Sequence, residues 1–244
     1  LINTLIGTKI FVSVRLVFLG AAIGMVGGVA LGAWTATRQY RFSDRAISLI
    51  SMIIISTPAM VIAILLQVLA VQINRSSGFQ IFEFTGEGEG ALGRLQHLLL
   101  PTLSMSLGGI ASYSRFQRNL MLDTLGADYV RTARAKGLSQ GKSLFKHALR
   151  NAILPVVTYL GPALAYTLTG SLIVEKIFTI PGLGDSFVSS ITGRDYMVIM
   201  GTTIFLATLI ITMNVIVDIV YKIIVPFFFS SRRRHTRLVG DWSS

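Results

Sequence analysis

The residues with most chemistry to offer form one basic run. Between Arg115 and Arg150 eight Lys or Arg stand against two Asp, a balance of +6. This is the sizeable stretch built to meet something in water. Groups that could make or break bonds are absent or scattered. His97, His147 and His235 are too far apart in the chain to suggest a metal constellation. No Gly-x-x-x-x-Gly-Lys-Ser/Thr phosphate loop occurs, so any ATP must be hydrolysed by a partner. No Gly-x-Ser-x-Gly elbow, His-Glu-x-x-His pair or intramembrane carboxylate pair is present. The absence of cysteine excludes disulfides, thiolate ligands and thiol nucleophiles. Glu83, Glu87 and Glu89 lack the Asp-x-Asp-x-Asp-Gly pattern of a calcium loop. What remains is docking and passage.

The basic run reads locally as two short helices around a turn. Asp123 to Lys136 holds good helix formers, with Asp123 and Asp128 towards the positive end of the helix dipole. Gly137 ends it, because glycine accepts the left-handed conformation after a cationic last turn. Ser139 caps a second helix through Arg150, with Lys142, Lys146 and Arg150 on one side and Leu144, Phe145, Ala148 and Leu149 on the other.

The elements that must position this hairpin are membrane helices. With 244 residues, 52% hydrophobic and 14% charged, the chain is too apolar for a soluble domain of its length. Its +11 charge sits in particular loops, the pattern of membrane topology, and aromatics are not interleaved with it as a nucleic-acid surface would require. Apolar runs long enough to cross about 30 Å of hydrocarbon cover residues 10–35, 46–73, 98–118, 152–174 and 196–225.

Gly20, Gly24, Gly28 and Gly32 recur every four residues and predict a packing seam in the first span. Ser56, Thr57 and Pro58 predict a kink in the second. Asn74 to His97 reads as an external loop, and Pro101 marks entry into the third span. Glu175 to Asp195 is a second external loop, and Asp218 with Lys222, one turn apart, reads as an interfacial pair. Arg38, Arg41 and Arg45 put their loop on the same cytoplasmic side as the basic loop at about 119–151.

The run Tyr129-Val130-Arg131-Thr132-Ala133-Arg134-Ala135-Lys136-Gly137-Leu138, followed by His147-Ala148-Leu149-Arg150-Asn151-Ala152-Ile153-Leu154-Pro155, resembles the cytoplasmic loop of binding-protein-dependent ABC importer permeases. It is more narrowly similar to the first permease of dipeptide and oligopeptide importers, whose relatives also carry nickel or glutathione. The general signature begins Glu-Ala-Ala and reaches Leu-Pro sooner after its glycine. Here Arg131-Thr132-Ala133 stands instead and Leu154-Pro155 comes late, as in the peptide class. Ile177 to Gly184 resembles the same class's Pro-Gly-Leu-Gly turn, where a short outer helix lies near the pore mouth.

The resemblance implies an all-α, polytopic helical membrane protein with the ABC importer permease fold: the transmembrane subunit of an ATP-driven, binding-protein-dependent importer of di- or oligopeptides. It implies ATPase-coupling roles for Asp128, Arg131, Ala133, Ala135, Gly137, Leu138, Lys142, Lys146, Arg150, Asn151, Leu154 and Pro155, and an outer-turn role for Pro181, Gly182 and Gly184. It implies no catalytic residue, cofactor or metal on this chain, with ATP and Mg on partner subunits. The expected partners are a second permease in a heterodimer, two ATPase subunits, an extracytoplasmic substrate-binding protein and the lipid bilayer, with no nucleic acid. The expected place is a bacterial or archaeal plasma (inner) membrane, multi-pass, with the coupling loop cytoplasmic.

Six spans are the family pattern, so five place another helix upstream of Leu1. Phe227 to Arg237 resembles translated sequencing-adapter sequence, and residues 227–244 are read as a non-native tail. The other class open to such a chain is an ion-coupled carrier or polytopic membrane enzyme. Those want ionisable groups at mid-membrane or convergent polar groups, which this sequence does not present.

Overall fold

In hydrocarbon every backbone N–H and C=O must be bonded within its own segment, so long apolar runs become helices. A computed structural model describes residues 2–83, 85, 86, 88, 90–128, 130 and 148–229, and no strand occurs among them. The long helices are α1 (Ile2–Thr37), α2 (Phe42–Ser56), α3 (Ala59–Ser77), α4 (Gly90–Leu125), α5 (Leu154–Ile177), α6 (Leu183–Gly193) and α7 (Tyr196–Phe229). A helical turn at Arg150–Ala152 leads into α5. By length and composition, Lys9–Thr37, Ala59–Ser77 and Tyr196–Ile223 suffice to cross a membrane.

The central pair is α1 and α4. A Cβ on Gly20 would lie 3.0 Å from the Met105 Cβ, on Gly24 3.2 Å from the Gly109 Cα, on Gly28 2.5 Å from the Tyr113 Cβ and on Gly32 2.8 Å from the Gln117 Cβ. Both sides of this seam advance by four residues at each step, so the two helices run parallel in close contact. Small residues allow that approach, and dispersion replaces the hydrophobic drive that lipid does not supply.

The second span is two helices rather than one kinked rod. Thr57 and Pro58 are both extended, and the Thr57 N–H closes on the Ile54 carbonyl at 3.1 Å. Proline lacks the N–H that would continue the ladder, so α3 starts afresh. Much of α2 and α3 is exposed apolar surface, including Leu49, Ile50, Ile53, Leu65 and Leu69. Such faces suit lipid.

Several boundaries differ from the sequence reading. The external loop shrinks because α3 reaches Ser77 and α4 begins at Gly90. Pro101 therefore lies inside α4, not at its entry. The polar Arg94 and His97 concealed that the helix starts before the apolar run. At about 1.5 Å per residue, the 36 residues of α4 are longer than a bilayer core is thick. Asp218 and Lys222, both exposed on α7, form no ion pair with each other.

Two buried clusters tie the helices at opposite ends. One gathers Leu16, Ala63, Ala70, Leu100, Val174, Phe178 and Ile180 from α1, α3, α4, α5 and the turn beyond. The other gathers Ala36, Met121, Val130, Ala148 and Ala152.

Candidate functional site

The second cluster is the base of the basic loop. Rather than opening a new helix, Asp123 sits in the last turn of α4, which ends at Leu125. The chain then turns, with Gly126 N–H donating to Leu122 O at 3.2 Å, Ala127 N–H to Thr124 O at 3.1 Å and Val130 N–H to Ala127 O at 3.0 Å. Val130, on the way out, and Ala148, on the way back, are both fully buried against Met121 and Ala36. The loop thus has an anchored stem. Asp128 and Asn151 are exposed beside it, and Arg150 is half-buried. Arg131, Ala133, Ala135, Gly137, Leu138, Lys142 and Lys146 lie outside the described residues, as does the turn expected at Gly137.

On the return side, Ile153 keeps helical geometry, its N–H bonding Leu149 O at 2.9 Å while Val157 N–H bonds Ile153 O at 3.1 Å. Leu154 and Pro155 open α5, where proline's missing N–H costs no helical bond. The loop exit and α5 are therefore mechanically continuous.

Beside the stem, Arg118 of α4 reaches the first turn of α2. Its Nε and Nη2 donate to Asp44 Oδ1 and Oδ2 at 2.6 and 2.7 Å, and Tyr40 N–H adds a third bond to Oδ2 at 3.0 Å. The guanidinium holds the Asp44 carboxyl below its ordinary range, against the opposing effect of burial. The two basic loops are thereby joined at one end. Arg38 also lies there, 4.6 Å over the Trp34 ring, an arrangement suited to an interface.

At the opposite end, Glu175 is fully buried in the last turn of α5, not in a loop. The helix closes through Ile180 N–H to Glu175 O at 2.9 Å and Thr179 N–H to Lys176 O at 3.3 Å, with Thr179 at φ 54°. Glycine usually holds that left-handed position, so no glycine marked this helix end in the sequence.

The Glu175 carboxylate then accepts Gly184 N–H at 2.7 Å, while Ser13 Oγ of α1 accepts Leu183 N–H at 2.9 Å. Side chains of two other helices thus satisfy the first amides of α6, and the carboxylate complements the positive end of its dipole. Gly182 and Gly184 are required by space. A Cβ on Gly182 would lie 2.6 Å from Glu175 Cδ and 2.7 Å from Ser13 Oγ, and one on Gly184 would lie 2.9 Å from Leu172 O. Lys9 Nζ to Ser186 Oγ at 2.6 Å and Gln67 Nε2 to Ile177 O at 2.9 Å bring α1 and α3 to the same turn.

Between the two ends lies a cavity of about 550 Å³. The Thr57–Pro58 break, α4 at Ser104, Gly108 and Ser112, and α5 at Tyr159 and Thr167 form its walls. Tyr159 is braced edge-on by Tyr113, ring centroids 6.0 Å apart, and by Phe116 at 5.5 Å. Among the described residues no group of three or more His, Cys, Asp or Glu comes together to hold a metal. Sequence reasoning offered no residue for this cavity. The available signal was the density of Thr and Ser at 102, 104, 106, 112 and 114 in an apolar span.

An anchored basic loop at one end, a folded turn at the other and a cavity between define a multi-pass membrane transport subunit. Residues 28–230 match the family model described as "Binding-protein-dependent transport system inner membrane component". The chain is 41% identical to the oligopeptide transport system permease protein OppB of Mycobacterium tuberculosis, covering 92% of this chain and 72% of that one. It is 39% identical to the dipeptide transport system permease protein DppB of Bacillus subtilis, over 92% and 70% of the two chains. Solved structures of an amino acid ABC transporter with histidines and of the MetNI methionine ABC transporter share its fold, with TM-scores of 0.68 and 0.70. Their sequence identities are 15% and 17%, and they cover 90% and 89% of this chain and 94% and 95% of their own. The chain belongs to the binding-protein-dependent transport system inner membrane component family.

Proposed function

We propose that this chain is the first-type permease subunit of a di- or oligopeptide importer in a bacterial or archaeal inner membrane. The single observation carrying the cargo is its 41% identity, across 92% of its length, to a relative named an oligopeptide permease. In this reading α1, α2 with α3, α4, α5 and α7 make five crossings, and α6 lies on the outer surface. The basic loop faces the cytoplasm and docks on a separate ATPase subunit, which holds ATP and Mg. An extracytoplasmic binding protein delivers the peptide, and a second, non-identical permease completes the path.

The geometry supports a coupling role for the loop. Its stem is buried against α1 and α4, and its exit continues into α5, so a displacement imposed on the loop passes into a membrane helix with no slack segment. The chain contains no cysteine, which permits a direct test. Single cysteines at Ser139 and Ser143 are crosslinked in a complex with the candidate ATPase. A crosslink whose yield changes with ATP is the expected result; none, with the complex assembled, would return an ion-coupled carrier to consideration.

A further inference from the structure

We propose that the cavity at the Thr57–Pro58 break is a contact site for the main chain of a peptide in transit, reading it through hydroxyl and aromatic groups and indifferent to the sign of its side-chain charge. The inference rests on the peptide reading above and adds the residues and the basis of selection.

Shape comes first. The lining follows α5 from Tyr159 to Val174, roughly 22 Å at about 1.5 Å per residue. An extended tripeptide spans about 10 Å, so it fits along this wall. The volume of about 550 Å³ is that of a ligand site rather than a packing defect.

Hydrogen-bond chemistry comes next. Thr57 Oγ1 donates to Ile53 O and Thr167 Oγ1 to Ala163 O, both at 2.8 Å. With their protons committed to the backbone, both oxygens present acceptors, suited to a peptide N–H. Ser104 lines the same cavity, and its buried Oγ has no hydrogen-bond partner among the described residues. A buried hydroxyl left unpaired is costly, and a peptide carbonyl would accept its proton. The edge-braced Tyr159 ring adds an apolar wall for a side chain.

Charge decides the selectivity. The described lining holds no Asp, Glu, Lys, Arg or His. An acidic and a basic peptide of similar size therefore meet the same main-chain partners and no fixed charge of either sign.

The test uses the complete transporter in proteoliposomes with its own binding protein and tri-alanine, Ala-Lys-Ala and Ala-Glu-Ala as probes. The quantity read is the Lys-to-Glu uptake ratio of a variant divided by that of the wild type, which cancels the binding protein's preference. Ser112→Asp is expected to raise the ratio about tenfold or more, and Ser112→Lys to lower it similarly, as one fixed charge at close range would. Thr167→Asp and Thr167→Lys repeat the test from α5 where a Ser112 variant does not assemble. Variants that still import tri-alanine with an unmoved ratio would overturn the site. A wild type that imports none of the three peptides would instead overturn the peptide reading beneath it.

Discussion

Asp44 and Arg118, 74 residues apart in sequence, meet through two charge-assisted hydrogen bonds at 2.6 and 2.7 Å, where α2 begins and α4 is about to end. The Asp44 side chain is 3% exposed and that of Arg118 21%. Removing one partner of so sheltered a pair costs about 3 kcal/mol, because the other charge is left without compensation. Asp44→Asn should therefore lower the detergent melting temperature and weaken the response of ATPase activity to transport substrate. Recovery in the double variant Asp44→Arg with Arg118→Asp would assign the loss to the pair; no recovery would assign it to local packing.

The same pair sets a pH dependence. The Asp44 pKa is depressed in the fold, so its contribution is complete above the ordinary carboxylate range and is lost as pH falls through the lowered value. Wild type should lose stability relative to Asp44→Asn on acidification below about pH 4, and the two should differ by a constant amount between about pH 6 and 8. Thermal unfolding across that range measures it.

At the other end, Glu175→Ala leaves the buried Gly184 N–H without its acceptor and should cost about 2 kcal/mol. Glu175→Gln, which retains an acceptor oxygen, should cost less. The readout specific to this turn is protease cleavage between Lys176 and Arg194, expected to quicken in the alanine variant well before global unfolding.

The helix seam offers a contrast between two glycines. Gly28→Ala forces a methyl to within 2.5 Å of the Tyr113 Cβ, whereas nothing lies within 4 Å of a Cβ at Gly108. The first should destabilise by about 1–3 kcal/mol. The second should be neutral or gain up to about 1 kcal/mol from restricting the unfolded chain. Melting temperatures decide it.

Cysteine scanning reports on the cavity directly. Ser112→Cys, on the cavity wall, should react with a small charged thiol reagent, while Thr202→Cys, at a position 1% exposed, should not. A Ser112→Cys that labels no faster than a buried Thr202→Cys protected from the reagent would show that the cavity is not an aqueous route.

The helical character of the chain was plain in its sequence, since hydrophobic run length carries that information with no tertiary context. The break at Thr57–Pro58 was legible because proline acts locally. The Asp44–Arg118 pair was not, because a long-range partner is chosen by three-dimensional register, which spacing along the chain does not encode. Glu175 was read as a loop residue for a related reason: an isolated carboxylate in sequence signals water, and partners distant in sequence or on another helix, the Gly184 amide and Ser13 among them, offset its burial. Thr179 hid the end of α5 by standing where glycine is usual. The cavity escaped altogether, since its hydroxyls come from the Thr57–Pro58 break and two separated helices, and none of these departs far from an ordinary membrane segment.

The divided second span has a mechanical consequence. α2 is pinned at its start to Arg118, beside the loop stem, whereas α3 is gripped by the opposite cluster through Ala63 and Ala70 and by Gln67 on the end of α5. The halves of one crossing thus answer to different masters. Pro58 has no N–H to tie it back to α2, while its carbonyl accepts Val61 N–H at 2.9 Å and Ile62 N–H at 3.3 Å, so the residue belongs to α3. The Thr57–Pro58 break borders the cavity, so any change in the angle between the two halves would reshape the solute's berth in the same stroke.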